Sequence, residues 1–299
     1  MSQDQYTFRG SDGTDLVAYR WDPDGSAVAS AVLLHGMGEH VLRYAELAAA
    51  LNRRGFVVYG YDHRGHGATV GSGTKGDLGP GGWPALVADI RVFVDRLRSE
   101  NRSLPVVLIA HSMGSVATQQ FLLDNSDSVD AVALTGTAAF DLLEPALDLE
   151  QDLDLALFNT LFEPARTDFD WLSRDHAAVD AYLADPLCGF AIDRTSTKSM
   201  FECARRLSDP TQVAAIRSDL PIYIAVGSKD PVNADLALVQ VLVQRLRDAG
   251  VEDVTLRAYP DARHELFNEV NRTEVIADLV DWLDRALNLN DIETTREPR

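Results

Sequence analysis

The sequence predicts an α/β protein: a mostly parallel, doubly wound sheet of eight strands, with a helical cap inserted near the middle of the chain. Two observations lead there. Apolar runs of five or six residues alternate with stretches of helical periodicity, as expected of strands buried on both faces beneath covering helices. That alternation then stops between 138 and 213 and resumes afterwards. A chain of 299 residues is long enough to bury one large core of this kind.

Taken in order, Tyr6-Thr-Phe-Arg9 and Leu16-Val-Ala-Tyr-Arg-Trp21 flank Gly10-Ser-Asp-Gly13 in the pattern of a β-hairpin. Ala29–Leu34 is the next apolar strand, ending at His35-Gly-Met-Gly-Glu-His40. Leu42, Leu47, Ala48 and Leu51 repeat at helical spacing until Gly55 stops them. Phe56–Tyr61 is another buried strand, followed by Asp62-His-Arg-Gly-His-Gly67 and a glycine-rich loop to Gly82. Leu86, Ile90, Phe93, Val94 and Leu97 mark an amphipathic helix. Pro105 then introduces the strand Val106–Ala110, and Gly114, Val116, Ala117, Gln120 and Phe121 follow at helical spacing. Ala131–Thr135 is the sixth strand.

Residues 138–213 carry no strand pattern. Leucines and phenylalanines from Leu142 to Phe162 alternate with acidic residues, and the later pieces read as short helices broken at Pro164, Pro186 and Pro210. This segment is expected to be a helical cap, leaving 1–137 and 214–299 as the core. Its apolar stripe is expected to pack onto that core. Strands resume at Pro221–Val226 and Val254–Tyr259, with helices over Leu236–Ala249 and about Arg272–Leu287. The polar tail after Asn288 is expected to be loose.

Ligands of such sheets bind beyond the carboxyl ends of the strands, and the chemistry-bearing residues fall there. Ala110-His-Ser-Met-Gly114 sits where a strand gives way to a helix, as in a nucleophile elbow with alanine in place of the first glycine. A sharp turn there exposes the Ser112 hydroxyl, and the residues two before and two after must be small. The Met113 amide, at the helix start, is free to meet an oxyanion.

An activated serine needs a base, and the base an orienting carboxylate, in the chain order Ser, Asp or Glu, His. Only His176 and His264 follow Ser112. His176 falls inside the cap, whereas His264 directly follows the last strand and is the better base. Asp230, in Gly227-Ser-Lys-Asp-Pro-Val232, projects beyond a strand end and is the favoured carboxylate. Asp261 and Glu265 are rivals by proximity alone. The tight turn His35-Gly-Met-Gly38 offers the Met37 amide as a second oxyanion donor, and loss of such a donor typically costs about 10²–10³ in turnover. His35 is expected to brace this turn. Asp62-His-Arg-Gly-His66 lacks a second ligand set and reads as a structural loop, so no metal site is expected.

The formal charge of −19 argues against nucleic acid or an anionic membrane as partner. Two cysteines are too few for a disulfide framework. No signal peptide or membrane-spanning run is evident, so a cytoplasmic protein without integral membrane association is expected.

Taken together, the motifs resemble the α/β-hydrolase superfamily, in its monoacylglycerol lipase and lysophospholipase-like (serine aminopeptidase-type) branch. The matching residues are His35-Gly-Met-Gly-Glu-His40 with Arg43-Tyr44, Asp62-His-Arg-Gly-His-Gly67, His111-Ser-Met-Gly114, Ser173-Arg-Asp175, Asp185-Pro-Leu187, Gly227-Ser-Lys-Asp-Pro231 and Arg263-His-Glu-Leu-Phe-Asn268. The resemblance implies the same triad, Ser112, Asp230 and His264, and the same oxyanion donors, Met37 and Met113. The expected function is cofactor-independent hydrolysis of small-molecule or lipid esters, with monoacylglycerol or lysophospholipid leading and short-chain esters next. Transient contact of the cap with a lipid surface fits that reading. Two alternatives stay open: an aminopeptidase, which would need a carboxylate cluster in the cap to hold a free amine, and a non-catalytic binding protein.

Overall fold

Successive residues of a strand point to opposite faces of a sheet, and here both faces are apolar. In the computed structural model, which describes residues 3–289, Val106, Leu108 and Ala110 join one core layer while Val107 and Ile109 join the other. Two-sided burial is why these strands read as unbroken hydrophobic runs.

Among the described residues, eight strands form one sheet: β1 (Gln3–Arg9), β2 (Asp15–Trp21), β3 (Ala29–Leu34), β4 (Phe56–Tyr61), β5 (Val106–His111), β6 (Ala131–Thr135), β7 (Ile222–Gly227) and β8 (Val254–Tyr259). Their spatial order is β1-β2-β4-β3-β5-β6-β7-β8. β1 with β2 and β2 with β4 run antiparallel; every other pair is parallel. β1 begins at Gln3, ahead of the expected Tyr6, because Gln3-Asp-Gln5 is an exposed stretch held by backbone pairing to β2 and so carries no apolar signal.

The α-helices are α1 (Ala45–Arg53), α2 (Gly82–Glu100), α3 (Met113–Asn125), α4 (His176–Ala184), α5 (Arg194–Ala204), α6 (Pro210–Val213), α7 (Ala237–Asp248) and α8 (Arg272–Ala286). α1 and α8 cover one face through Leu47, Leu51, Val275, Leu279 and Leu283. α2, α3 and α7 cover the other through Trp83, Ile90, Phe121 and Leu242. Every residue of α3 from Met113 to Leu123 is buried, so the helix after Ser112 is enclosed on all sides.

Between β6 and β7 the chain forms no strand. It runs through short 3₁₀ segments, α4, α5 and α6. The helical run that ends at Ser208 is broken before Pro210, which then opens α6, with Asp209 Oδ1 accepting the Thr211 N–H at 2.9 Å. Proline is tolerated at that first position because the amide it lacks would have no intrahelical acceptor. One expectation needs correction: the leucine stripe packs inward only in part. On the 3₁₀ segment Leu155–Phe162, Leu155 is buried, but Leu157 is 56% and Leu161 71% exposed. No helix among the described residues is long and apolar enough to cross a membrane.

The loop after β4 is held by ion pairs. Arg64, 2% exposed, donates from Nε and Nη2 to both oxygens of buried Asp89 on α2 (2.6 and 2.9 Å), and its Nη1 reaches Asp12 in the β1–β2 turn at 2.7 Å. Asp89 Oδ1 also accepts the Ser11 N–H at 2.7 Å. Removing Asp89 would strip buried Arg64 of its buried counter-charge and of two hydrogen bonds, leaving it only the more exposed Asp12 carboxylate. Asp89→Ala is therefore expected to lower unfolding free energy by about 3–5 kcal/mol in a denaturant melt. Asp12→Ala, at a half-exposed carboxylate, should cost much less; equal losses would contradict this assignment.

Candidate active site

Four strands deliver residues to one end of the sheet: β3 leads into His35-Gly36-Met37, β5 into Ser112, β7 into the Asp230 loop and β8 into the His264 loop. Ser112 lies between β5 and α3 with φ 48° and ψ −117°, a backbone state that residues with a Cβ seldom adopt. Three hydrogen bonds hold it there. Its N–H donates to Thr135 O of β6 at 2.9 Å. Its carbonyl accepts the Val116 N–H at 3.0 Å and the Ser115 hydroxyl at 2.7 Å. Gly114 allows the close approach: a Cβ there would stand 2.4 Å from Leu34 O and 2.7 Å from His35 O. Two residues before the serine, Ala110 is buried in the core and its methyl is accommodated.

Asp230 starts a 3₁₀ turn, Pro231–Asn233, and its Oδ1 accepts the Val232 N–H at 2.9 Å. Its Oδ2 accepts from His264 Nδ1–H at 2.9 Å, with both side chains buried. Because the carboxylate can only accept, the imidazole proton resides on Nδ1 and the Nε2 lone pair is left available. The His264 ring packs against Trp171 and His111, with centroids 4.8 Å away in each case. Burial pushes the His264 pKa down, but Asp230, Glu265 and Glu39 more than offset it, so the net shift is upward.

The rival carboxylates go elsewhere. The Asp261 side chain is exposed, and Glu265 turns to Arg43, its Oε2 accepting from Nη2 at 2.7 Å. His176 is exposed at the start of α4. His35 braces its turn, donating from Nδ1 to Gly36 O at 2.7 Å and accepting the His63 N–H at Nε2, 2.9 Å. Burial lowers its pKa to about 3, keeping it neutral and able to accept. His63 and His66 are likewise buried and shifted down.

Ser112 and His264 line one pocket together with Gly36, Met37 and Met113. Among the described residues, the amides of Met37 and Met113 have no acceptor. The rest of the wall is mainly apolar and comes largely from the segment between β6 and β7, including Phe140, Leu153, Phe158, Trp171 and Met200. That segment is tied to the site by backbone, the His264 and Glu265 N–H groups donating to Trp171 O (3.4 Å) and Leu172 O (2.8 Å).

Two polar groupings were missed from sequence. His40, Asp185 and Cys188 bring donor atoms within 4.8 Å of one another, and His40 Nε2 is hydrogen-bonded to Asp185 Oδ2 at 2.9 Å. Glu39, Arg43 and Glu265 form a buried ion cluster at the pocket wall. Arg43 stands among residues quoted for the resemblance, but no spacing rule links it to Glu265, 222 residues away.

A mostly parallel eight-stranded sheet with its serine on the strand-to-helix turn after β5 defines an α/β-hydrolase. A family model described as serine aminopeptidase, S33 matches residues 25–271. The monoacylglycerol lipase of Mycolicibacterium smegmatis is 30% identical over 296 residues, covering 94% of this chain and 97% of that one. The monoglyceride lipase of Mus musculus is 29% identical over 266 residues, covering 87% and 83%. In three dimensions, a thermostable carboxyl esterase from Bacillus coagulans superposes with a TM-score of 0.85 at 24% identity, covering 96% of this chain and 99% of that one. The chain belongs to the serine aminopeptidase S33 family.

Gly136, at φ 54°, follows β6; a Cβ there would approach His111 Cε1 to 2.6 Å and His264 Cε1 to 2.9 Å. Gly136→Ala should therefore displace the imidazole and lower kcat/KM by about 10², read as initial rates on a chromogenic ester. An unchanged rate would contradict this packing.

Proposed function

We propose that the protein is a cofactor-independent serine hydrolase of lipid carboxylic esters, with monoacylglycerol or lysophospholipid as the substrate class. The observation that carries the proposal is the buried Asp230–His264 hydrogen bond, in a pocket shared with Ser112 and two acceptorless amides. In this reading His264 Nε2 takes the Ser112 proton as Oγ attacks the ester carbonyl. The oxyanion that forms is met by the Met37 and Met113 amides, which stand ready before the charge develops. Asp230 holds the Nδ1 proton and stabilises the imidazolium. The tetrahedral intermediate collapses to an acyl-Ser112, and the alcohol leaves with the proton from His264. Water, deprotonated by His264, then attacks the acyl group, and Ser112 recovers its proton as the acid departs.

Residues 138–213 act in this proposal as a cap on a core of 1–137 and 214–299. Their aromatic and aliphatic side chains suit an acyl chain, since ligand pockets bind chiefly through apolar walls. The relatives' lipase names support the same class. One observation favours esters over an N-terminal peptide: among the described residues, no carboxylate from 138–213 lines the pocket, where an aminopeptidase would need a cluster of them to hold the amine.

Initial rates on p-nitrophenyl esters from acetate to palmitate, on monoacylglycerols and on an aminoacyl amide test this. Turnover should rise toward longer acyl chains and disappear in Ser112→Ala. Preference for the aminoacyl amide would overturn the substrate class, and activity surviving in Ser112→Ala would overturn the mechanism. The exposed Leu157 and Leu161 suit transient contact with a lipid surface. Their joint replacement by Glu should slow turnover of vesicle-borne substrate while sparing dispersed ester; equal effects on both would count against that contact.

A further inference from the structure

Glu39 and Glu265 come from loops far apart in the chain, yet both reach the same buried cation. Glu39 belongs to the turn after β3, and Glu265 directly follows His264. Between them, Arg43 Nη1 donates to Glu39 Oε2 (2.6 Å) and to Glu265 Oε1 (2.5 Å), and Nη2 donates to Glu265 Oε2 (2.7 Å). All three side chains are 10% exposed or less. Glu39 uses its other oxygen, Oε1, to accept the Gly36 N–H at 2.6 Å and the Tyr44 hydroxyl at 2.7 Å. A polar bridge thus runs from Gly36, the residue before Met37, to Glu265, the residue after His264. Its charges do not cancel: two carboxylates face one guanidinium. The surplus negative charge stands at the wall of the pocket that His264 lines.

We propose that Glu39 and Glu265 are positioning residues for the reaction. Their surplus charge keeps His264 a strong base, and the bridge through Arg43 fixes the Met37 amide relative to it. This rests on the reading of His264 as the base. Of the other groups around His264, only Asp230 carries negative charge, and it is the larger support to which the two glutamates add. Asp230, from the loop after β7, holds Nδ1. His111, at the end of β5, is pushed far down by burial and stays neutral. Trp171, from the segment between β6 and β7, is uncharged. Arg263, its chain neighbour, donates to Asp170 O and packs on Phe162. Arg43 opposes the imidazolium, and only both glutamates together outweigh it. With Glu265 neutral, Arg43 and Glu39 would cancel and the imidazolium would keep only the support of Asp230. The upward shift of His264, to which Glu265 and Glu39 both contribute against burial, has the direction this requires.

The test is the pH profile of kcat/KM on a soluble p-nitrophenyl ester for wild type, Glu265→Gln, Glu39→Gln and His264→Ala, with thermal melts alongside. Glutamine keeps the side chain's shape, and in Glu39→Gln an oxygen for the Gly36 amide. The base acts only when neutral, so activity is lost as pH falls through its pKa. In both glutamine variants the acid limb should move to lower pH, by about one unit for a buried charge this close, and the plateau kcat should fall with the weaker base. A purely structural role would change the plateau or the melt and leave the limb in place. An unshifted limb in a folded variant overturns the inference alone. Should neither variant fold, the wild type still decides: a limb below the ordinary imidazole value of about 6.5 overturns it. Activity surviving in His264→Ala overturns this inference and the reading beneath it together.

Discussion

Ser112 holds a positive φ with a full side chain attached, and most of the site follows from how the fold makes that possible. Such a conformation costs on the order of 1–3 kcal/mol and persists only where the surroundings over-determine it. Here β6 takes the serine amide through Thr135 O, α3 takes its carbonyl, and Gly114 lets the first turn of α3 approach the end of β3. The same approach brings the helix start and the turn after β3 together, so that Met113 and Met37 line one pocket. Strain at one residue is therefore offset by the packing of three strand ends.

The pocket is built from two sources with different physics. The sheet supplies the polar chemistry from loops at its carboxyl edge, each anchored by a rigid strand. The segment between β6 and β7 supplies most of the apolar wall, and its backbone carbonyls at Trp171 and Leu172 accept amides from the His264 loop. Rearrangement of that segment would thus be felt at His264 as well as at the wall. The Glu39–Arg43–Glu265 bridge joins the turn after β3 to the His264 loop by a second route, through buried charge.

Much of this was legible in the sequence, for identifiable reasons. Strands buried on both faces leave continuous apolar runs, so the eight strands could be read with small errors at their ends. The exception was β1, whose first residues pair by backbone alone and leave no side-chain signal. Ser112, Asp230 and His264 could be singled out because each lies within a few residues of a strand end, which fixes the edge of a parallel sheet it occupies. What local pattern could not reach was contact across long separations. Glu265 read as a rival for Asp230 because it adjoins His264, and only the folded chain reveals Arg43 as its partner. The segment from 138 to 213 was legible as lacking strands, but not in its facing. In a 3₁₀ segment the 3.6-residue period does not apply, so Leu157 and Leu161 gave no warning of pointing outward.

The most direct test of the account is to locate the covalent intermediate. The protein would be treated with a long-chain fluorophosphonate, with and without competing monoacylglycerol, and then examined by intact mass and peptide mapping. The account predicts a single adduct on Ser112, suppressed by the competing lipid and absent in Ser112→Ala. An adduct on another residue, or none on a folded protein, would contradict it.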